Sequence, residues 1–293
     1  MEVIIGELVV KAYMPLPLFP AISITGEWCG LKCKYCGGKL LKGMLIVNTP
    51  HELYSLCRRL KENGVIGCLI SGGFSRDGVL PIKPFIQTIR DIKKDLEFII
   101  SIHVGFASRD YAEILRNCGV DIVDLNVINS IRVFRDIMGL SVDLKIMEET
   151  IKNLIDYGPP YIAPHIMIGA DYGKVYWETE AIDLLKDIDL DTLIFVVFSP
   201  IHGTEMEHTS SPNIIDVVKV FQQAKSKLPN IEIGLGCARP RGSYSVKLEK
   251  QLIQNRLIDR VVIPSRASEY LMSCCSIPKE LEYRIPRRSS VDI

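Results

Sequence analysis

The sequence of 293 residues lacks several features that would place it in common classes of protein. No apolar run in it reaches the roughly 20 residues that a helix needs to span a bilayer. Met1 to Lys11 has neither the basic flank nor the small-residue cleavage site of a signal peptide. Lysine and arginine number 35, as do aspartate and glutamate, so no overall field attracts nucleic acid or an anionic membrane. We therefore expect a cytoplasmic protein that binds neither.

A disulfide framework is also missing from the pattern of the 9 cysteines. Their number is odd, and Cys29, Cys33 and Cys36 follow one another as C-x3-C-x2-C, a metal-ligand spacing that fits a reducing compartment. Three thiolates on one tight loop can hold three irons of a cubane cluster and leave the fourth iron without a protein ligand. Zinc is the alternative, but zinc usually takes four ligands, and no fourth cysteine lies in residues 37–56.

Strand-like and helix-like segments alternate along the chain with short breaks between them. Eight strands are predicted at 21–25, 68–71, 97–104, 122–127, 161–168, 192–198, 231–235 and 260–263. Amphipathic helices are predicted at 49–63, 83–94, 108–117, 145–157, 177–187, 213–227 and 243–255. This alternation favours an α/β fold, a complete (β/α)8 TIM-type barrel in one domain over 1–293. Residues 1–20 are expected to form an N-terminal extension and residues 276–293 a C-terminal tail.

At the three cysteines the chain resembles the radical S-adenosylmethionine (SAM) superfamily, whose loop carries this spacing with an aromatic residue, here Tyr35, before the third cysteine. The resemblance implies a [4Fe-4S] cluster on Cys29, Cys33 and Cys36, with SAM bound at the open iron. It further implies reductive cleavage of SAM to methionine and a 5′-deoxyadenosyl radical, which takes hydrogen from an unactivated carbon.

The superfamily resemblance also implies residues that bind SAM, all of them near strand ends. Ser71-Gly72-Gly73 resembles its Gly-Gly-Glu element, although Phe74 stands where the acid usually does. Four further residues would surround the rest of SAM: Asp124 and Asn126 at the end of the fourth strand, and Ile168 with Gly169 at the end of the fifth. The alternative for the two glycines is a plain turn. The alternative for Asp124 and Asn126 is a polar network with a purely structural role.

A second group of cysteines follows the seventh and eighth strands. Cys237 lies beside Arg239, and cationic neighbours would lower the pKa of this thiol or leave it as a metal ligand, so both residues are candidates for catalysis. Cys237, Cys274 and Cys275 are candidate ligands of an auxiliary [4Fe-4S] cluster, the alternative being simple burial. Ser290 joins them because the terminal Arg-Ser-Ser resembles a signature of bacterial lipoyl synthase, in which a serine oxygen ligates such a cluster.

Within the biotin and lipoyl synthase branch, the chain is most similar to the archaeal two-subunit lipoyl synthases. It shares their Ser-Gly-Gly-Phe segment at Ser71 and their Gly-Cys-x-Arg-Pro-Arg-Gly segment at Gly236. It departs from bacterial lipoyl synthase because no cysteine precedes Cys29, and from biotin synthase because Ser101 and Ala163 stand near the sulfur-donor positions.

This resemblance implies sulfur insertion into an octanoyl chain. The implied partners are an octanoylated carrier protein or peptide, a second radical SAM subunit and a low-potential electron donor. The alternatives are a mutase or maturase of the hydrogenase or pyrrolysine-pathway kind, another sulfur-insertion enzyme, and a cluster that serves only as a redox sensor or structural staple.

Overall fold

The computed structural model describes residues 3–5 and 8–289. The strands of this part are β1 (Val3–Ile5), β2 (Leu8–Tyr13), β3 (Ala21–Ser23), β4 (Leu45–Ile46), β5 (Gly67–Ser71), β6 (Ile99–Val104), β7 (Ile122–Asn126), β8 (Tyr161–Ile168), β9 (Thr192–Val197), β10 (Glu232–Leu235), β11 (Arg260–Val262), β12 (Glu269–Leu271) and β13 (Arg287–Ser289). The α-helices are α1 (Pro50–Glu62), α2 (Ile86–Leu96), α3 (Arg109–Asn117), α4 (Lys145–Tyr157), α5 (Glu178–Asp183), α6 (Ile214–Lys227) and α7 (Ser243–Gln254). Short 3-10 helices cover Lys39–Gly43, Lys83–Phe85 and Lys279–Arg284, and a π-helical turn covers Val133–Ile137.

One compact unit, here named the triad unit, comprises residues 17–126 and 130–162 and carries the three cysteines. Its strands pair in parallel in the order β4-β3-β5-β6-β7. Helix α1 begins on the N-cap residue Thr49, whose Oγ1 accepts from the N–H of Glu52 at 3.2 Å, and the Glu52 carboxylate accepts from the N–H of the preceding Asn48 at 2.7 Å. Parallel pairing places the ends of β3, β5, β6 and β7 at one edge of the unit.

The other unit, here named the flanking unit, comprises residues 1–16, 127–129 and 163–293. Its strands follow the order β8-β9-β10-β11-β2-β12-β13, where β8 joins this unit from Ala163 onward. Strand β2 runs parallel to β11 and β12, whereas β13 runs antiparallel to β12. All six residues of β9 are buried, as expected for a strand covered on both faces.

The eight predicted strands and seven predicted helical segments are confirmed, with ends shifted by a few residues and with α5 shorter than predicted. Part of the predicted N-terminal extension forms a strand of the flanking unit, because β2 pairs with β11 through Lys11, Ala12 and Tyr13. The tail likewise contributes β13 to the same run of strands. The α/β class is confirmed; a closed eight-stranded barrel is not, since in the described residues the two runs end on edge strands, β4 in one unit and β13 in the other.

The single-domain prediction stays a prediction. None of the helices in residues 3–5 and 8–289 has both the length and the apolar character needed to cross a bilayer.

A buried ion-pair network joins β2, β10 and β11 in the flanking unit. Arg260 is fully buried; its Nε donates to Glu232 Oε2 at 2.9 Å and its Nη1 to the carbonyl oxygen of Cys275 at 2.7 Å. Lys11 Nζ lies 3.2 Å from Glu232 Oε1 and 2.7 Å from Glu282 Oε1. Burial alone would raise the pKa of Glu232, but Arg260 and Lys11 lower it to about 2.

Candidate active site

The loop that carries the three cysteines follows β3 and is tied to the segment after β5. The N–H of Ile24 donates to the carbonyl oxygen of Ser71 at 2.9 Å. Thr25 bridges the two segments, because its Oγ1 donates to the carbonyl oxygen of Trp28 at 2.9 Å and accepts from the N–H of Gly73 at 2.7 Å. Sequence reasoning missed Thr25, although its place just beyond a buried strand is typical of site residues in parallel sheets.

Gly73 lies so close to the cysteine loop that no side chain fits there. A Cβ at this position would lie 1.9 Å from the carbonyl oxygen of Trp28 and 2.4 Å from Cα of Cys29. From the other side, the N–H of Gly30 donates to the carbonyl oxygen of Phe74 at 2.7 Å. The predicted SAM-binding glycines therefore hold the cysteine loop in place through backbone contact. Their contact with SAM stays a prediction, as does that of Ser71.

The thiols of the loop are largely shielded from water. Cys33 and Cys36 are 4% and 9% exposed, and Cys29 is half-buried. A hydrogen bond between the thiols of Cys33 and Cys36 raises the pKa of Cys33, and burial raises it further. The same bond lowers the pKa of Cys36. Burial raises the pKa of Tyr35 well above its usual range, and the phenol is hydrogen-bonded to Cys33. Tyr35 therefore contacts one of the predicted ligands directly.

The loop fits a [4Fe-4S] cluster in its chemistry, because three cysteine thiolates are the ligands that such clusters take. Among residues 3–5 and 8–289 as placed, no group of three or more His, Cys, Asp or Glu side chains could hold a metal ion. Binding of iron would replace the hydrogen bond between Cys33 and Cys36 by bonds to iron, with release of protons, since each ligand must be a thiolate.

Polar side chains line the neighbouring strands β6 and β7 of the triad unit. Ser101 Oγ donates to Asp124 Oδ2 at 2.8 Å. Asp124 is 6% exposed, and its other oxygen, Oδ1, is buried without a hydrogen-bond partner in the part of the chain that the structure describes. Because a buried carboxylate oxygen without a donor is costly, Asp124 is suited to accept from a hydroxyl or amino group of a bound ligand. Asn126, at the end of β7, is half-buried.

His103 is a further polar residue at this edge, and sequence reasoning missed it. Its Nδ1 lies 3.4 Å from Ser71 Oγ, and its ring contacts Phe74 edge to face at a centroid distance of 5.4 Å. His103 pairs in register with Asp124. The signal for it was the alternation of Ser101 and His103 in an otherwise apolar strand, which puts both on one face.

In the flanking unit, the predicted pair Ile168 and Gly169 ends β8. Gly169 has a φ of 81°, and a Cβ there would lie 2.2 Å from Cγ of Pro212. Its N–H donates to Glu178 Oε1 at 2.8 Å, and the other Glu178 oxygen accepts from the N–H of Tyr176 at 2.8 Å. Burial raises the pKa of Glu178 despite these backbone bonds. The sequence did not single out Glu178, because it lies nine residues beyond the motif it completes.

Arg239 is buried, and all of its guanidinium donors are engaged within the flanking unit. They reach Ser245 Oγ, Glu249 Oε1 and the carbonyl oxygens of Gly236, Val262 and Ile263, at 2.6 to 2.9 Å. These bonds join the loops that follow β10 and β11. They define a structural role for Arg239, whereas its predicted catalytic role stays a prediction.

Cys237 keeps exposed surface after β10, and its carbonyl oxygen accepts from Arg241 Nη2 at 2.8 Å. Desolvation by the surrounding protein raises the pKa of the thiol, although Arg241 and Arg239 act in the opposite direction. The expectation of a lowered pKa was therefore wrong, because the desolvation outweighs the two cations.

The other proposed auxiliary ligands follow β12. Cys274 is half-buried and Cys275 is buried. Neither forms, together with Cys237, a group in the described residues that could hold a metal ion. Ser290 lies outside the described residues. The auxiliary cluster stays a prediction.

Comparison with known proteins assigns the family. The profile described as the Radical SAM superfamily matches residues 23–176, which include the cysteine loop and strands β5 to β8. The chain therefore belongs to the radical SAM superfamily, and membership of the family implies a [4Fe-4S] cluster and SAM. No curated protein sequence matches the chain.

Solved structures of the same superfamily resemble the chain in fold, at low identity. The [FeFe]-hydrogenase maturase HydG from Carboxydothermus hydrogenoformans has a TM-score of 0.61 at 15% identity, over 88% of this chain and 60% of HydG. Methylornithine synthase (PylB) has a TM-score of 0.59 at 15% identity, over 96% of this chain and 80% of PylB. Streptococcus suis SuiB, solved with S-adenosylmethionine, has a TM-score of 0.56 at 15% identity, over 77% of this chain and 52% of SuiB. The chain thus spans between half and two thirds of HydG and SuiB.

Proposed function

We propose that this radical SAM enzyme inserts sulfur into an octanoyl chain carried on a protein or peptide, as a component of a lipoyl synthase that works with a second radical SAM subunit. The observation that carries the radical chemistry is the three-cysteine loop seated on Gly73, where any side chain would meet Trp28 and Cys29. The two shared segments, Ser-Gly-Gly-Phe at Ser71 and Gly-Cys-Ala-Arg-Pro-Arg-Gly at Gly236, support the choice of reaction.

The residues of the triad unit have definable tasks in this function. Cys29, Cys33 and Cys36 would hold the cluster as thiolates, and the cluster would supply the one-electron reduction that cleaves SAM into methionine and a 5′-deoxyadenosyl radical. Thr25 and Gly73 hold the loop against the segment that follows β5. Asp124 would offer Oδ1, which has no hydrogen-bond partner in the described residues, to a donor group of the ligand in a setting that is buried from water.

The test is mass spectrometry of an octanoylated peptide incubated with the reconstituted protein, SAM and reductant. We expect 5′-deoxyadenosine and a peptide that has gained sulfur. The inserted sulfur would come from sulfide of an auxiliary cluster that Cys237 would help to hold. Cys237→Ala should therefore keep 5′-deoxyadenosine formation and lose sulfur incorporation, whereas Cys33→Ala should abolish both. Formation of 5′-deoxyadenosine without any sulfur in the peptide, under conditions in which the second subunit is present, contradicts the sulfur-insertion assignment.

A radical enzyme without sulfur insertion, of the maturase or mutase kind, is the second candidate. One observation supports it: the structures that resemble this chain in fold include the hydrogenase maturase HydG and methylornithine synthase (PylB). Iron content separates the two, because one cubane cluster corresponds to about four irons per chain and two clusters to about eight. If the protein forms no 5′-deoxyadenosine when reductant and SAM are both present, the cluster serves as a redox sensor or as a structural element instead.

A further inference from the structure

A cavity of about 460 Å³ lies in the triad unit beside the first turn of α3. Its walls come from the turn after β5, from the segment that leads from β6 into α3, and from α4. The residues that α4 contributes are spaced as one face of a helix: Ile146, Glu149, Thr150 and Asn153. The volume is within the range of about 300–1,000 Å³ that small-molecule sites occupy. No described residue that lines the cavity is among those predicted to bind the cluster or SAM.

Hydrogen bonds fix the elements that form the walls. Thr150 Oγ1 accepts from the N–H of Ala107 at 3.2 Å, and Asn153 Nδ2 donates to the carbonyl oxygen of Ala107 at 3.0 Å. The N–H of Phe106 donates to the carbonyl oxygen of Gly78 at 2.9 Å, so the turn after β5 is joined to the same segment. The cavity is therefore preformed, as ligand pockets usually are.

The buried part of the lining is aromatic. Phe106 and Tyr111 are each 8% exposed. Phe106 packs edge to face on Phe134 at a centroid distance of 5.7 Å, and Tyr111 OH donates to the carbonyl oxygen of Leu80 at 3.0 Å. Because these contacts hold both rings in place, the inner wall offers a fixed apolar surface to a ligand.

The exposed part of the lining carries both signs of charge, on different elements. Arg109 begins α3, whereas Asp77 lies on the turn after β5 and Glu149 on α4. The Arg109 side chain is positioned by Glu113, whose Oε1 accepts from its Nε at 2.9 Å, and by the ring of Tyr157, whose centroid lies 4.3 Å from Cζ. The guanidinium carries its other N–H donors on the two Nη atoms. The α3 side therefore suits a carboxylate, and the opposite charges suit an ammonium group.

An apolar body that bears one ammonium and one carboxylate group matches this lining. We propose that the cavity binds a free α-amino acid with a large apolar or aromatic side chain. The carboxylate lies toward Arg109, and the ammonium group lies toward Asp77 and Glu149. The side chain packs against Phe106 and Tyr111. This site is additional to that of SAM and does not depend on which reaction the protein catalyses.

The experiment is calorimetric titration of the full-length, cluster-loaded protein with L-phenylalanine. We expect one site per chain. Saturating SAM should leave the Kd unchanged, because the cavity and the predicted SAM site share no residue. Phenethylamine and 3-phenylpropionate, which each lack one of the two charges, should bind about tenfold more weakly or worse.

Matched variants locate the site. Arg109→Gln should raise the Kd about tenfold or more, whereas Arg116→Gln, exposed on the same helix and outside the lining, should not. Glu149→Gln should weaken binding, and its control is the exposed neighbour Glu148→Gln. All four side chains are exposed, and a urea unfolding curve checks that each variant folds.

Four results would overturn the proposal. They are an absence of L-phenylalanine binding to the wild type, its displacement by SAM, equally tight binding of either singly charged analogue, and equal effects of the Arg109 and Arg116 variants. The first three use the wild type alone, so they stand even if a variant fails to fold.

Discussion

At the scale of single residues, Gly73 tolerates the least change in the candidate site. We expect Gly73→Ala to displace the cysteine loop, because the new Cβ would lie 1.9 Å from the carbonyl oxygen of Trp28. Overpacking of this kind costs about 1–3 kcal/mol of unfolding free energy. The iron bound per chain after reconstitution should fall by more than half, measured together with a urea unfolding curve.

Gly43→Ala is the matched control, since a Cβ at Gly43 meets nothing within 4 Å. It should bind iron and unfold like the wild type. If Gly73→Ala also binds iron normally, the glycine is not what seats the cysteine loop.

At the scale of elements, Arg239 fastens the loop after β10 to the loop after β11. We expect Arg239→Ala to lower the unfolding free energy by roughly 3–5 kcal/mol, because it leaves the buried carboxylate of Glu249 without its cation. Removing that carboxylate as well, in Arg239→Ala with Glu249→Ala, should recover part of the loss. Urea unfolding of the single and double variants measures both.

Arg241→Lys is a suitable comparison, because Arg241 is exposed and its bonds are to two carbonyl oxygens. A different result would favour the predicted catalytic role of Arg239: a variant that keeps full stability and iron content but no longer cleaves SAM. Such a variant would show that the guanidinium acts on the reaction rather than on the two loops.

At the scale of the whole molecule, the network around Arg260 makes the unfolding free energy depend on pH. The pKa of Glu232 falls from 4.5 to about 2 on folding, so its ionised form stabilises the native state above the unfolded value. That stabilisation is lost as the pH falls from about 5 through the folded pKa. Allowing for solvent screening, we expect the unfolding free energy to decrease by roughly 1–2 kcal/mol between about pH 5 and pH 3.

Urea unfolding at these two pH values measures the decrease. Glu280→Gln, which removes an exposed carboxylate of the same unit, should retain it. Glu232→Gln should lose most of the decrease, and if that variant does not fold, potentiometric proton uptake on acid unfolding of the wild type replaces it. A flat profile in the wild type would contradict the assigned pKa of Glu232.

The sequence by itself determined the features that depend on neighbours along the chain. Alternating periodicity predicted the strands and helices, because an amphipathic face shows in a local pattern of residues. The three cysteines could be read as one ligand set because residues 29–36 share a single loop. The prediction that the protein binds and cleaves SAM came from the residues of that loop and did not require the fold.

Only the tertiary structure decided which distant residues meet. It placed β2 between β11 and β12, although the sequence at 8–13 carries no sign of its neighbours. It gave Gly169 the carboxylate of Glu178, left Oδ1 of Asp124 without a donor among the described residues, and engaged Arg239 in bonds that join two loops. The physical reason is common to all three: hydrogen bonds and ion pairs across strands depend on the register of the sheet, which no local pattern encodes.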